Sequence, residues 1–422
     1  MRYGRAAPDT DMNRNDRQIV GFTTIGHAMF HLYELAIPLF IVVWLPAFDT
    51  SPAVLGTLVG VGLALIGLGA VVSGVLADEY GSKTLVTVSI LGMGSSFVLL
   101  SAAPTLEVLA VGLLVWGAAS SLYHPAALSL LTRGAAERGT ALAYHGAAGN
   151  VGTALGPFAA AILLTGLPWR TVAAVLALPA VVAVALAFRF EFDETAGTDG
   201  GTASPATETG LTGVVGFFRQ SRALFTAGFV VVFLLVMTHG LYARGVLSFL
   251  PEILSDLPLF DPVAIGGESF EPSQYVYAGL LLLGGIGQYV GGKWTDRTRT
   301  EYALIGTYSV VVLASLAFVP AARTGLWAIL AVCAVLGITI YMSAPIRQAL
   351  LAEYSPPDVH GLSFGYFYLG VYGVGAVGAS LAGIVLTYGT QTTFFLAFAG
   401  IAAVAVALGG LLLVRFSSYR FD

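Results

Sequence analysis

Long apolar runs recur along this chain with hardly a charge inside them, and most are long enough to cross a lipid bilayer. The hydrocarbon core of a bilayer is ~30 Å thick, and a helix needs ~20 residues to cross it. Only 10% of the 422 residues are charged and 57% are hydrophobic, whereas an ordinary soluble domain has roughly 25% charged residues. A water-soluble core cannot hold that surplus of apolar side chains, but lipid can. Strands crossing a membrane would show alternating runs of ~10 residues, and the runs here are continuous. Within lipid each backbone polar group must be satisfied inside its own segment, so the runs are helices. The pattern predicts an all-α polytopic membrane protein. Its twelve transmembrane helices fall near 19–47, 52–77, 84–103, 105–132, 137–165, 168–189, 223–253, 273–294, 301–320, 325–351, 359–388 and 391–415.

One long polar stretch interrupts this rhythm, Phe190 to Arg222, rich in Gly, Thr, Ala and Glu between Thr195 and Thr209. Such composition reads as a flexible linker. It divides the chain into a six-helix bundle over 1–189, a cytoplasmic linker over 190–222 and a second six-helix bundle over 223–422. Thr212 to Phe218 reads as a short interfacial helix. The polar start, Met1 to Arg17, lacks the early apolar core of a cleavable signal, so the first span is expected to be retained. With the N-terminus inside, fifteen of the nineteen lysines and arginines fall on the inner side. Only Arg170 and Arg323 fall outside, while Arg244 and Arg347 lie within or near the ends of spans. That asymmetry is what the positive-inside rule expects, so both termini are expected in the cytoplasm, and the expected location of this multi-pass protein is the plasma membrane. Trp44, Trp169, Trp294 and Trp327 fall near span ends, where interfacial aromatics belong. The single Cys333 excludes an internal disulfide, and no basic block points to nucleic acid.

The two halves repeat. Gly74-Val-Leu-Ala-Asp78 follows span two, and Gly292-Lys-Trp-Thr-Asp296 follows span eight. Gly117 and Pro125 of span four match Gly337 and Pro345 of span ten. Gly139, Tyr144 and Gly156 around span five match Gly361, Tyr366 and Gly378 around span eleven. The offsets of 218, 220 and 222 drift slowly, as small loop differences would make them. Together these matches indicate an ancestral duplication and two pseudo-symmetric bundles.

The segment Gly74-Val-Leu-Ala-Asp78-Glu-Tyr-Gly81-Ser-Lys83 resembles the loop between the second and third helices of the major facilitator superfamily. Gly74, Asp78, Gly81 and Lys83 fit that loop, while Glu79 and Ser82 replace its usual arginines. The second copy, from Gly292, keeps the Asp296-Arg297 pair. Within the superfamily the chain is similar to the fosmidomycin-resistance-like exporters. The carriers of that similarity are His27-x3-His31 before Pro38, Tyr123-His124-Pro125, and His145-Gly146 leading to Gly152-x3-Gly156-Pro157. Leu113 stands where proton-driven drug exporters carry an arginine in span four. The resemblance implies a transporter fold in which spans one, four, seven and ten line a central cavity. It also implies that Asp78 and Asp296 act as conformational latches against helices of the other half. Arg138, opening span five, is a natural partner for Asp78.

Ionisable side chains at membrane depth are costly and mark function. His27, His31 and Glu34 fall on one face of span one, and Glu34 is the one carboxylate well inside a span of the first half. Five of the six histidines lie in spans: His27, His31, His124, His145 and His239. Tyr123, Asn150, Tyr242 and Arg347 complete the expected cavity and proton-coupling set. Gly240 and Gly245 suggest that span seven breaks into two half-helices beside His239 and Tyr242. Arg347 meets an anionic solute or snorkels to the inner surface. Arg244 is read near the outer end of its span, with Glu252 as a rival ion-pair partner. Gly152, Gly156 and Pro157 suit close helix approach and rocking.

The expected function is secondary active transport of a small solute by alternating access, proton-coupled through Glu34 and His31, with export of drugs or other organic compounds as one reading of its direction. Alternatives are an organic-anion importer centred on Arg347, a divalent-metal carrier using His27, His31, Glu34 and His239, or a receptor that does not transport. No metal site is assigned, no cofactor is expected, no enzyme motif appears, and a monomer is expected in the bilayer.

Overall fold

A computed structural model describes residues 12–197, 219–356 and 360–416. The interfacial helix expected at 212–218, and Arg2, Arg5 and Arg420, lie outside the described residues. The first six spans are Arg14–Ala47, Pro52–Tyr80, Ser82–Ser101, Leu106–Ser121 continued by Tyr123–Gly134, Arg138–Gly166 and Trp169–Ala187. The second six are Ala227–Ser255, Pro272–Thr295, Thr300–Thr324, Leu326–Glu353, His360–Tyr368 continued to Val377–Tyr388, and Gln391–Leu411. Among the described residues, eleven of these helices are long and apolar enough by composition to cross a membrane. The twelfth, span eight, has 24 residues, its hydropathy diluted by Gln274, Gln288 and glycines. The molecule is thus an all-α polytopic protein built as two six-helix bundles.

The duplication is visible in the packing. Gly117 lies so close to the backbone of Gly62 that a side chain there would strike the carbonyl oxygen, and Gly337 meets Leu280 in the same way. Gly156 packs on the backbone of Leu32, and Gly378 on that of Leu241. Span four thus packs on span two as ten does on eight, and five on one as eleven does on seven. Small residues let helices approach closely where lipid supplies no hydrophobic drive for association.

Two sequence expectations change. Span seven is one continuous helix of 29 residues, not two half-helices. The interruptions are elsewhere: at Leu122 in span four and over Leu369–Val374 in span eleven. Pro125 cannot donate to Ser121, so the ladder fails one turn earlier, and Ser73 takes up the carbonyl of Leu122 at 2.9 Å. In span eleven the backbone widens to a π-turn, with Gly375 N–H on Gly370 C=O at 2.9 Å. Trp44 is fully buried against Phe40 and Trp169, so it is a core residue, while Trp327 is exposed as expected.

Spans seven and eight are joined by an antiparallel hairpin, Val263–Ile265 with Glu268–Phe270, where the sequence reading has only a connection. Gly266 and Gly267 turn it, with φ of 64° and 91°, the positive values a two-residue hairpin turn demands. This hairpin marks one end of the molecule, and the loop after span two marks the other, the basic end. At the hairpin end the halves are joined: Ala53 N–H donates to Thr387 Oγ1 at 2.9 Å, and Thr165 meets Tyr275 hydroxyl to hydroxyl at 2.9 Å. At the basic end charged groups pair within their own half, Arg133 with Asp78 and Arg299 with Glu301.

Candidate functional site

Halfway along span one, helical spacing stacks His27, His31 and Glu34 on one face, and the fold adds partners from four other spans. His27 Nδ1 is 2.7 Å from the backbone carbonyl of His145, in span five. His27 Nε2 is 3.2 Å from His31 Nε2, and His31 Nδ1 is 2.7 Å from Glu34 Oε2. The other carboxylate oxygen of Glu34 pairs with Arg244 of span seven, across the two halves. The Arg244 guanidinium lies over the Tyr372 ring, 4.1 Å from its centroid. His145 stacks on His27 with centroids 4.0 Å apart. His124 stands edge-on to Phe30 at 4.4 Å and stacks on Tyr368, whose hydroxyl is 3.4 Å from His124 Nδ1.

The breaks in spans four and eleven create this site. The kink before Pro125 sets Tyr123 and His124 at the start of a new helical segment. Tyr123 then reaches span one, donating to the carbonyl of Thr23 at 2.5 Å. Tyr368 immediately precedes the π-turn and Tyr372 lies in it, and these two rings carry span eleven onto His124 and Arg244. π-turns recur at functional sites because the extra residue re-aims side chains at the cost of regular hydrogen bonding.

The proton inventory of the chain of contacts is fixed by its ends. A carbonyl only accepts, so His27 Nδ1 carries a proton, and a neutral His27 then offers Nε2 as a lone pair. His31 must donate to it, and the third link, to Glu34, needs a proton as well. Two neutral imidazoles supply two protons for three links. Filling all three links therefore takes one further proton, held as an imidazolium or on the carboxyl of Glu34. Glu34 is 3% exposed and His31 21%, so the chain runs from a dry ion pair to a wetter ring. A cavity of about 20 Å³, room for about one water, lies beside Glu34 and Arg244, closed by Pro38, Trp116 and Ser248.

Other sequence candidates sit apart from this chain. Asn150 donates to Gln288 Oε1 of span eight at 2.7 Å, another polar link between the halves. His239 lies near Ser343, 3.4 Å from its hydroxyl, and edge-on to Tyr308. Tyr242 is buried in the second half against Ser315 at 2.7 Å. Arg347 does not snorkel: it is 4% exposed and bonds Ser343 Oγ at 2.5 Å and Tyr308 at 3.3 Å. Arg244 does not pair with Glu252 but with Glu34. The carriers that sequence reasoning missed are Phe30, Tyr368, Tyr372 and Gln288. Their aromatic and amide character is ordinary for a membrane helix, and only the two tyrosines one turn apart, amid the glycines of span eleven, gave a signal.

At the basic end the partner of Asp78 is Arg133 at 2.8 Å, not Arg138, which instead donates to the carbonyl of Gly197 at 3.1 Å. Gly81 turns the chain at φ 84° into span three. The orphan N–H groups of Ser82 and Lys83 are met by Glu194 at 2.8 and 3.0 Å, a carboxylate favoured at a helix N-terminus. Lys83 Nζ donates to the Phe190 carbonyl at 2.5 Å. In the second copy Asp296 ends span eight by bonding its N–H to Gly292 C=O, and among the described residues neither it nor Arg297 makes an ion pair. Gly152 packs on the backbone of Ala28, beside Gly156 and Pro157, where span five crosses span one.

Comparison with known proteins fits this architecture. The fold is similar to a bacterial homologue of the human lysosomal transporter Spinster in an inward-facing, unoccupied conformation, with a TM-score of 0.79, 15% identity, and 98% of this chain and 100% of that one covered. It is also similar to a D-xylose–proton symporter, TM-score 0.71 and 15% identity over 95% and 98% of the two chains. A third likeness is to a peptide transporter solved with sulfate, TM-score 0.73 and 12% identity over 98% and 96%. Among curated proteins, none matches this sequence. A sequence model described as Major Facilitator Superfamily matches residues 23–346 and again 273–419. With twelve spans among the described residues, arranged in two repeated bundles, and a family match along nearly its whole length, the chain belongs to the major facilitator superfamily and is a membrane transporter, not an enzyme.

Proposed function

We propose that the protein moves a small solute by alternating access and couples that movement to protons through Glu34 and His31. The observation that carries this reading is the Glu34–Arg244 ion pair, which joins the two halves at membrane depth while Glu34 also holds His31 at 2.7 Å. A proton arriving on the carboxylate cancels its attraction for Arg244 and loosens one contact between the halves. A proton leaving restores it. Differential affinity of this kind is what lets a ligand shift an equilibrium between two states. The kinship of fold with a proton symporter supports the reading.

The test uses proteoliposomes enclosing a pH-sensitive dye, challenged in turn with organic acids, sugars, lipophilic drugs and zinc. Wild-type protein is expected to move protons with at least one of these compounds, and Glu34→Gln is expected to stop that movement while eluting from a sizing column as wild type does. Undiminished proton movement in the variant, or none with any compound in wild type, overturns the coupling.

A second reading concerns the charge of the solute. Among the described residues no carboxylate pairs with Arg347, a buried cation held by two hydroxyls. An unneutralised guanidinium at that depth suits a carboxylate or phosphate on the solute. If the solute is an organic anion, Arg347→Gln is expected to remove its binding to purified protein. Retained binding sinks that reading and leaves the proton coupling standing.

A further inference from the structure

Three of the histidines at membrane depth, two buried and one partly exposed, are arranged as metal ligands are. His27, His31 and His124 bring one ring nitrogen each to within 4.8 Å of one another. His27 and His31 do so through their Nε2 atoms, 3.2 Å apart. Two nitrogens bound to one tetrahedral zinc at ~2.0–2.1 Å stand about 3.3 Å apart. One nitrogen of each ring faces an oxygen. His27 Nδ1 is on the carbonyl of His145 at 2.7 Å, His31 Nδ1 on the carboxylate of Glu34 at 2.7 Å, and His124 Nδ1 near the Tyr368 hydroxyl at 3.4 Å. A metal-bound imidazole commonly gives its other N–H to a carbonyl, carboxylate or water, which fixes the ring and makes it a better donor. His124 Nε2 is buried with no hydrogen-bond partner, on a side chain in a residue only 6% exposed.

We propose that His27, His31 and His124 form a binding site for a divalent transition-metal cation of the zinc class. The cation would supply the positive bridge that the facing nitrogens of His27 and His31 require, in place of the shared proton. An all-imidazole set selects borderline cations such as zinc, cobalt and nickel, and rejects magnesium and calcium, which need oxygen. Three protein ligands leave a fourth position for water or for a solute atom, and His31, one-fifth exposed, gives the entry side. Closing the ring nitrogens from a spread of up to 4.8 Å to zinc–nitrogen geometry takes side-chain movements that total about 1.5 Å. His239, which the sequence pattern grouped with span one, lies instead beside Ser343 and has no part in the site. The proposal goes beyond the transport reading and does not depend on it, because binding is measured on purified protein without any gradient.

The experiment adds cobalt chloride to the detergent-purified full chain, freed of metal by chelation. The visible absorption of the ion reports its geometry, and displacement by zinc gives relative affinity. Wild-type protein is expected to bind one cobalt ion with the intense absorption of a tetrahedral nitrogen site, zinc to displace it, and magnesium to leave it in place. His31→Ala and His124→Ala are each expected to weaken binding at least tenfold, and His239→Ala to leave it unchanged. Variants are compared by their elution from a sizing column, and any alanine variant that aggregates is replaced by the glutamine variant at the same position. Six-coordinate cobalt spectra in wild type, or binding unaffected by both substitutions, overturn the site. Loss of cobalt binding with proton movement intact separates this site from the coupling role of Glu34. Bound cobalt with undiminished proton movement in Glu34→Gln does the reverse.

Discussion

The two halves share a scaffold but not a chemistry. At the offset that pairs Pro125 with Pro345, His124 falls on Ala344, Tyr123 on Ser343, and Arg347 on Ala127. At the offset that pairs Gly156 with Gly378, His145 falls on Phe367 and Asn150 on Tyr372. Duplicated glycines hold spans four and ten against their neighbours in the same way, yet the first half places imidazoles and a carboxylate at the seam while the second brings cations and aromatic rings. Backbone packing depends on a few small residues and survives duplication. The polar groups at the seam serve one asymmetric site, so each copy is free to carry a different part. The Glu34–Arg244 pair is where the two chemistries meet.

The sharpest way to break this contrast is to remove one member of that pair and then both. Glu34→Leu leaves Arg244 buried without its carboxylate, and breaking a buried pair from one side costs ~3–5 kcal/mol. Replacing both by leucine removes the orphan charge, and such replacements are often neutral. Thermal unfolding in detergent micelles is expected to drop steeply for Glu34→Leu and to recover most of the loss in Glu34→Leu/Arg244→Leu. Equal losses in the single and double variants would show that the pair is not a unit. Arg347→Leu is the counter-case, since it strands no carboxylate among the described residues and releases only two hydroxyl contacts.

A smaller effect tests the shared scaffold. Gly117→Val and Gly337→Val push side chains into the backbone of span two and of span eight, and overpacking of this kind costs ~1–3 kcal/mol. The two losses are expected to be similar, as befits copies of one contact. Gly139 and Gly292 have open space where a Cβ would stand, so alanine there is expected to be neutral or to gain up to ~1 kcal/mol in helix propensity. A loss at Gly117 with none at Gly337 would mean that the halves pack by different rules.

This scaffold was legible in the sequence for physical reasons. Lipid forces helices, arginines choose their side, and glycines that admit a crossing backbone leave a repeat at offsets of 220 and 222. The face of His27, His31 and Glu34 was legible because three- and four-residue spacing settles neighbours on any helix. What pairs across helices was not. Arg244 was read against Glu252, its neighbour on the same helix, but its position halfway along span seven puts it opposite Glu34, a relation set by how the bundles meet. Arg138 lies nearest the start of span five, yet Arg133, at the end of span four, reaches Asp78. Glu194 gave no signal at all, because a capping carboxylate from a distant segment looks like any acid in a polar linker. Span seven was expected to break at its glycines, but Gly240 packs closely against span eleven, and Gly245 against Phe398 of span twelve and Gly378 of span eleven. The break fell instead on span eleven itself, where glycines crowd around Tyr372.

The π-turn in span eleven sharpens the comparison further, since it is how the second half reaches the histidines. Tyr368→Phe removes the hydroxyl near His124 Nδ1 but keeps the stacked ring. One hydrogen bond is worth ~0.5–1.5 kcal/mol net, and the 3.4 Å separation puts this one at the lower part of that range. A loss of stability at or below about 1 kcal/mol is expected, with the near-ultraviolet circular dichroism of the aromatic cluster preserved. A loss as large as that of Glu34→Leu would mean that Tyr368 holds the halves together by more than this contact.

The smallest effect belongs to the basic end. Asp78 and Arg133 are 2.8 Å apart, but their side chains are 49% and 37% exposed. An ion pair in that setting is screened and contributes ~0–1 kcal/mol. Asp78→Asn is therefore expected to lower the unfolding midpoint barely, and less still at high salt. Both partners belong to the first half, so the pair does not bolt one bundle to the other in this conformation. It ties the end of span two to the end of span four, across the kink that Pro125 introduces. If the pair matters to the cycle, the effect of Asp78→Asn appears in transport rate at unchanged stability, because a weak contact biases two states while hardly altering the fold. A stability loss above about 2 kcal/mol, beyond anything a screened surface pair supplies, would instead make Asp78 a structural anchor like Glu34, and the division between a working seam and a solvated rim would fail.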